Sequence, residues 1–210
     1  MNLSDKRIAF LGDSITEGVG ADNMYGYVNY VNEYTGADCV NYGISGTRIA
    51  RQKKPTVESL SFDLDFCMRA EKIDGKFDFI VIFGGTNDFG HGDADFGVFS
   101  DRTPDTFYGA LHTLYKTVTE MHPESKIVVL TPIFRTDDIE LSKVKGRHLS
   151  DYVSAIKEVA EYYKLSIFDI FMDGDTPLIE ESLLADGLHP NNKGHQKLAK
   201  LVISFLQDNF

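Results

Sequence analysis

The segment Phe77-Asp78-Phe79-Ile80-Val81-Ile82-Phe83 restricts the fold more than any other stretch of this chain. Five consecutive apolar, β-prone residues follow Asp78, without the polar alternation of a strand that has one wet face. Such a strand is covered on both sides, as in the centre of a parallel sheet with helices above and below. It stops at Gly84-Gly85-Thr86-Asn87-Asp88, a run that favours a turn.

Four further strand-like segments surround it: Ile8–Leu11, Asp38–Tyr42, Lys126–Thr131 and Ser166–Ile170. Between them, residues 25–35, 66–73, 105–121 and 150–163 carry apolar side chains at helical spacing, and a last helix begins at Asn191 or Asn192. For the helix over 105–121, Thr103-Pro104-Asp105 reads as the start. Strands that alternate with helices predict parallel pairing with right-handed crossovers. The expected architecture is a three-layer α/β/α domain spanning residues 1–210, with a central five-stranded parallel sheet of flavodoxin-like type. Residues 47–76 are the least legible part. There Arg48, Arg51, Lys53 and Lys54 read as a solvated basic loop, and 89–100 reads as a flexible acidic loop.

A net charge of −11 argues against nucleic acid and against anionic membrane surfaces as partners. Residues 1–6 hold no apolar leader, and no run approaches 18 apolar residues. Cys39 and Cys67 are too few for a disulfide framework, so free thiols and a cytoplasmic setting are expected.

In a parallel sheet, ligands bind at the carboxyl ends of the strands. There the chain places Ser14, Gly43 and Asn87, and it brings Asp186 and His189 in after the fifth strand. Acyl transfer needs such a set. A serine hydroxyl is a weak nucleophile until a histidine takes its proton, and a carboxylate orients that histidine. Donors must also meet the tetrahedral oxyanion, and the backbone N–H groups of Ser14 and Gly43 and the Asn87 amide could supply them. Each residue has a plainer reading too: Asp13 or Ser14 as a helix cap, Asn87-Asp88 as a turn, His189-Pro190 as a helix entry.

Four blocks decide between these readings: Gly12-Asp13-Ser14-Ile15, Asn41-Tyr42-Gly43-Ile44-Ser45-Gly46, Gly85-Thr86-Asn87-Asp88 and Asp186-Gly187-Leu188-His189. Together they resemble the SGNH hydrolase superfamily, the GDSL-type esterases and lipases, with Ile15 where the family name has leucine. The resemblance implies Ser14 as nucleophile, the Asp186–His189 pair as its base, and Ser14, Gly43 and Asn87 as oxyanion donors. The Gly-x-Ser-x-Gly elbow of α/β-hydrolases is absent.

The function expected is a serine ester hydrolase that needs no cofactor and no metal and acts on a small-molecule ester. Short-chain acyl esters such as acetylated carbohydrate lead. A lysophospholipase, a thioesterase or a non-catalytic binding domain on the same scaffold are the alternatives, and the oligomeric state stays open. Asp13, beside the candidate nucleophile, is a candidate substrate contact, and so are Phe89, Phe134 and Arg135, because loops 89–100 and 132–148 follow strands at the site edge. His91, Asp93 and Asp95 have ligand-like spacing but read as part of the acidic loop. His112, His122, His148 and His195 read as packing or surface residues.

Overall fold

The computed structural model describes residues 1–137, 146–171 and 176–210. Among these, β1 (Arg7–Gly12), β2 (Asp38–Gly43), β3 (Phe79–Phe83), β4 (Lys126–Leu130) and β5 (Ser166–Phe168) form a parallel sheet ordered β2-β1-β3-β4-β5. The helices are α1 (Ser14–Glu17), α2 (Tyr27–Thr35), α3 (Phe66–Ala70), α4 (Thr86–His91), α5 (Phe107–Met121), α6 (Leu149–Tyr162) and α7 (Asn192–Asn209).

Successive strand residues supply opposite faces of the sheet, which divides the interior into two cores. Ala9, Leu11, Ile80, Ile82, Ile127 and Val129 pack with α3, α5 and α6. Ile8, Phe10, Phe79, Val81, Phe83, Val128 and Leu130 pack with α2 and α7. Each large apolar side chain wholly removed from water contributes ~1.5–3 kcal/mol before conformational entropy is subtracted. β3 is buried at every position, as its sequence requires.

Several boundaries differ from the periodicity, each for a local reason. β3 begins at Phe79 because the Asp78 carboxylate turns back to accept from the Arg7 backbone N–H and the Lys6 ammonium. β5 ends at Phe168 because the side chain of the next residue, Asp169, accepts from the Thr131 hydroxyl. The long helix α5 starts later than Thr103-Pro104-Asp105, since Thr106 caps it by accepting from the Gly109 N–H. For α7 the cap is Asn191, whose Oδ1 accepts from Lys193 and Gly194.

The basic loop needs a firmer correction. Arg51, Lys53 and Lys54 are exposed, but Arg48 is buried. It donates to the Thr56 hydroxyl at 2.7 Å and pairs with Asp63 at 3.5 Å. Much of the expected 132–148 connection lies outside the described residues.

Candidate active site

Register aligns the strand ends. Gly12 of β1 is level with Gly43 of β2 and with Phe83 of β3. Whatever follows these residues therefore meets at one edge. After β1 the chain turns at Asp13, whose Oδ1 accepts from the Ile15 N–H at 3.0 Å and caps α1. Burial, opposed by this bond, pushes the Asp13 carboxyl up to about 6. Ser14 is thereby fixed as the first residue of a four-residue helix.

Gly43 comes very close to that helix. A Cβ there would lie 2.2 Å from the Glu17 backbone nitrogen, so only glycine lets β2 and α1 meet. Its N–H donates to Asn41 Oδ1 at 2.8 Å, and the Asn41 amide in turn donates to the Thr16 carbonyl at 2.7 Å.

The fourth block supplies the base. Gly187 adopts φ +83°, a conformation that L side chains rarely take. The resulting turn folds the Asp186 carboxylate back on its own chain, where Oδ1 accepts from the Leu188 N–H at 3.1 Å and the His189 N–H at 2.8 Å. Oδ2 accepts from His189 Nδ1 at 2.7 Å, and His189 Nε2 lies 2.9 Å from Ser14 Oγ. Partial burial raises the Asp186 carboxyl, but these hydrogen bonds outweigh it and hold the group below the usual carboxylate range. The turn is anchored across the cleft, where the Thr136 N–H donates to the Gly187 carbonyl at 2.9 Å.

Asn87 stands on the first turn of α4, buried, and its Nδ2 donates to the Thr47 carbonyl at 3.0 Å. Beneath the edge lies Arg69, also buried, which sequence reading passed over. Its guanidinium donates to the carbonyls of Gly12 and Tyr42 and to the Thr47 hydroxyl. The Tyr42 carbonyl belongs to the same peptide unit as the Gly43 N–H. One cation thus steadies the ends of β1 and β2 together. Burial pushes Arg69 down to about 10.

The other candidates find various places. Phe89 is buried against Tyr152, and the Arg135 guanidinium lies 5.1 Å over its ring. Arg135 donates to the Thr86 carbonyl and hydroxyl and pairs with Asp137. Phe134 packs against the α2/α7 core.

His91 does not gather with Asp93 and Asp95. It lies against Asn87, whereas Asp93 accepts from the backbone of Lys53 and Lys54, and Asp95 pairs with the Lys53 ammonium. Among the described residues no group of three His, Cys, Asp or Glu side chains is arranged to hold a metal ion.

His195 holds the loop beside His189. Its Nδ1 accepts from the Tyr27 N–H at 3.1 Å, which leaves Nε2–H to donate to the Val19 carbonyl at 3.0 Å. His112 and His122 are buried, and His148 stands at the start of α6. Cys39 and Cys67 are both free. No helix among the described residues is long and apolar enough to cross a membrane.

A model of the GDSL-like lipase/acylhydrolase family matches residues 10–197, a range that takes in all four blocks. The chain belongs to this family. As a GDSL-family domain it is of the ester-hydrolysing class. An acetylxylan esterase of Xylanibacter ruminicola is 26% identical over an alignment covering 96% of this chain and 43% of that protein. The chain thus spans less than half the length of that curated relative. A crystal structure of a protein from Lactobacillus plantarum superposes with a TM-score of 0.83 at 28% identity, covering 98% of each chain. A member of the lipolytic G-D-S-L family from Veillonella parvula, 18% identical with a TM-score of 0.65, covers 96% of this chain and 98% of its own. At that identity it supports the fold alone.

Proposed function

We propose that residues 1–210 act as one serine ester hydrolase domain that transfers an acyl group from ester to Ser14 and then to water. The hydrogen-bonded series Ser14–His189–Asp186, with contacts of 2.9 and 2.7 Å, carries this reading. His189 Nδ1 bonds to a carboxylate, so that nitrogen bears the proton and Nε2 is free to take one from Ser14. The imidazolium formed as Ser14 attacks the ester carbonyl then faces Asp186. It returns the proton to the departing alcohol, and water reverses the sequence to release the acid.

The tetrahedral oxygen would be met by the N–H of Ser14, which as the first N–H of a helix has no intrahelical acceptor, and by Asn87 Nδ2. The Gly43 N–H is the third candidate, and an oxyanion must share it with Asn41 Oδ1 or displace that group.

For substrate we favour a short acyl group on a carbohydrate alcohol. The acetylxylan esterase of Xylanibacter ruminicola supports this choice. The test is hydrolysis of p-nitrophenyl acetate with and without a serine-directed phosphonate, followed by a panel running from acetylated xylo-oligosaccharide to lysophospholipid and acyl thioester. Phosphonate-sensitive turnover with a preference for acetyl is expected. Turnover that persists after phosphonate treatment would overturn the serine mechanism, and a preference for long acyl chains would overturn the substrate assignment.

A further inference from the structure

We propose that His91 is a positioning residue of the oxyanion site, holding the Asn87 side-chain amide in the orientation that presents a donor to the substrate oxygen. The proposal rests on the reading of Asn87 as an oxyanion donor. An asparagine amide is nearly symmetric in shape but opposite in polarity at its two ends. Rotated by half a turn it would place a carbonyl oxygen where the oxyanion forms, and stabilisation would become repulsion.

The neighbouring hydrogen bonds choose between these orientations without ambiguity. Arg48 Nη2 lies 2.7 Å from His91 Nδ1, and a guanidinium can only donate. His91 Nδ1 must therefore accept, which places the ring proton on Nε2. That Nε2–H lies 3.1 Å from Asn87 Oδ1 and donates to it. At the other end of the amide, Nδ2 donates to the Thr47 carbonyl at 3.0 Å, and a carbonyl can only accept. Both ends agree. One Nδ2 proton is spent on Thr47, and the second is left for a substrate oxygen.

The relay continues outward, which is why it is more than one contact. Arg48 is itself held by the Thr56 hydroxyl, and the Asp63 carboxylate accepts from the Thr56 backbone N–H at 2.9 Å. His91 is the last residue of α4, one turn beyond Asn87, so the helix delivers the imidazole to the amide by its own geometry. The ring stays neutral: loss of solvent around its nitrogens and the Arg48 charge push it down to about 4. A charged ring would set a donor against the guanidinium.

His91 is exposed as a residue, so a direct contact with bound substrate is the competing role. The two roles separate kinetically. In His91→Leu the amide keeps its bond to the Thr47 carbonyl but loses the one that holds Oδ1, and kcat on p-nitrophenyl acetate is expected to fall ~10–100-fold, part of the loss for removing the donor altogether. KM should stay within about threefold. His91→Gln, which keeps a donor and an acceptor, should restore most of kcat. In an Asn87→Ala background, His91→Leu should have no further effect, because the group it orients is gone. Should His91→Leu fail to fold, Arg48→Met read in the same two backgrounds serves instead, with a loss of about three- to tenfold that likewise vanishes without Asn87.

Additive losses in the double variant, or an effect confined to KM, would overturn the proposal. Two controls report on the underlying reading separately. Activity retained by Ser14→Ala, or an unchanged kcat in Asn87→Ala, would show that the assignment of the site itself has failed.

Discussion

Asp186 holds His189 at two points, the ring through Oδ2 at 2.7 Å and the backbone N–H through Oδ1 at 2.8 Å. The backbone N–H can only donate, so the oxygen facing it cannot be replaced by an NH2 group without conflict. In Asp186→Asn the amide would keep its oxygen on the backbone and turn its NH2 toward Nδ1. The imidazole proton would then move to Nε2 and face Ser14, the tautomer that cannot act as base. We expect kcat to fall by as much as ~10⁴. Asp186→Ala, which leaves the tautomer free, should be no slower than Asp186→Asn. A wild-type rate in Asp186→Asn would remove the carboxylate from the mechanism.

Ser14→Ala should abolish ester hydrolysis and leave the fold in place. The α1 cap is provided by Asp13, not by the serine hydroxyl, so secondary structure has no need of Oγ. Loss of more than about 10³ in kcat with an unchanged far-ultraviolet circular dichroism spectrum is the expected pair of results. Residual activity above that level would direct the search to another nucleophile.

Asn87→Ala should lower kcat by roughly 10²–10³ with a smaller change in KM, because the donor strengthens its bond as charge develops on the oxygen. Steady-state kinetics on a soluble ester measures both. A change in KM alone would mean that Asn87 binds ground-state substrate.

Gly43→Ala tests the contact between β2 and α1. The added methyl would press on the backbone nitrogen of Glu17, and backbone cannot rotate away as a side chain can. The nucleophile turn and the Gly43 donor should both shift, so activity and melting temperature fall together. An overpacking cost of ~1–3 kcal/mol is expected. A variant with wild-type kinetics would show that the two elements can separate freely.

Strands were legible because the sheet is buried on both faces, which writes them as apolar runs such as Ile80-Val81-Ile82. The catalytic candidates were legible because strand ends carry Gly, Ser and Asn in place of packing residues. Residues that act through others were not. Arg48 and Arg69 look like any surface cation until the fold surrounds each with carbonyl and hydroxyl oxygens. His91 follows Asn87 by four residues, a helical spacing that its acidic, glycine-containing neighbourhood disguised as loop. Phe89 was hidden by the same misreading: as part of α4 its ring enters the core instead of the cleft.

Asp88 follows Asn87 into the interior, where its two oxygens accept from the backbone N–H groups of Ile49 and Ala50, each at 2.9 Å. Burial pushes its carboxyl up to about 7, against the pull of these bonds and of the Arg48 charge. In the unfolded chain the group returns to its ordinary value of 3.8. Between those two values the folded protein retains a proton that the unfolded chain has released. Its contribution to stability is therefore greatest below the unfolded value, declines as pH rises, and is lost above the folded value. Asp88→Asn cannot titrate. It also turns an NH2 group toward one of the two N–H donors, which costs ~1–3 kcal/mol. The stability gap between wild type and variant should be widest near pH 4 and narrow toward pH 7. Asp13, also raised by burial, is present in both proteins and cancels. Urea unfolding at pH 4, 5, 6, 7 and 8 measures the gap directly. If it widened with pH, Asp88 would be a buried anion held by Arg48 and the two N–H bonds, and the order of those influences would have to be reversed.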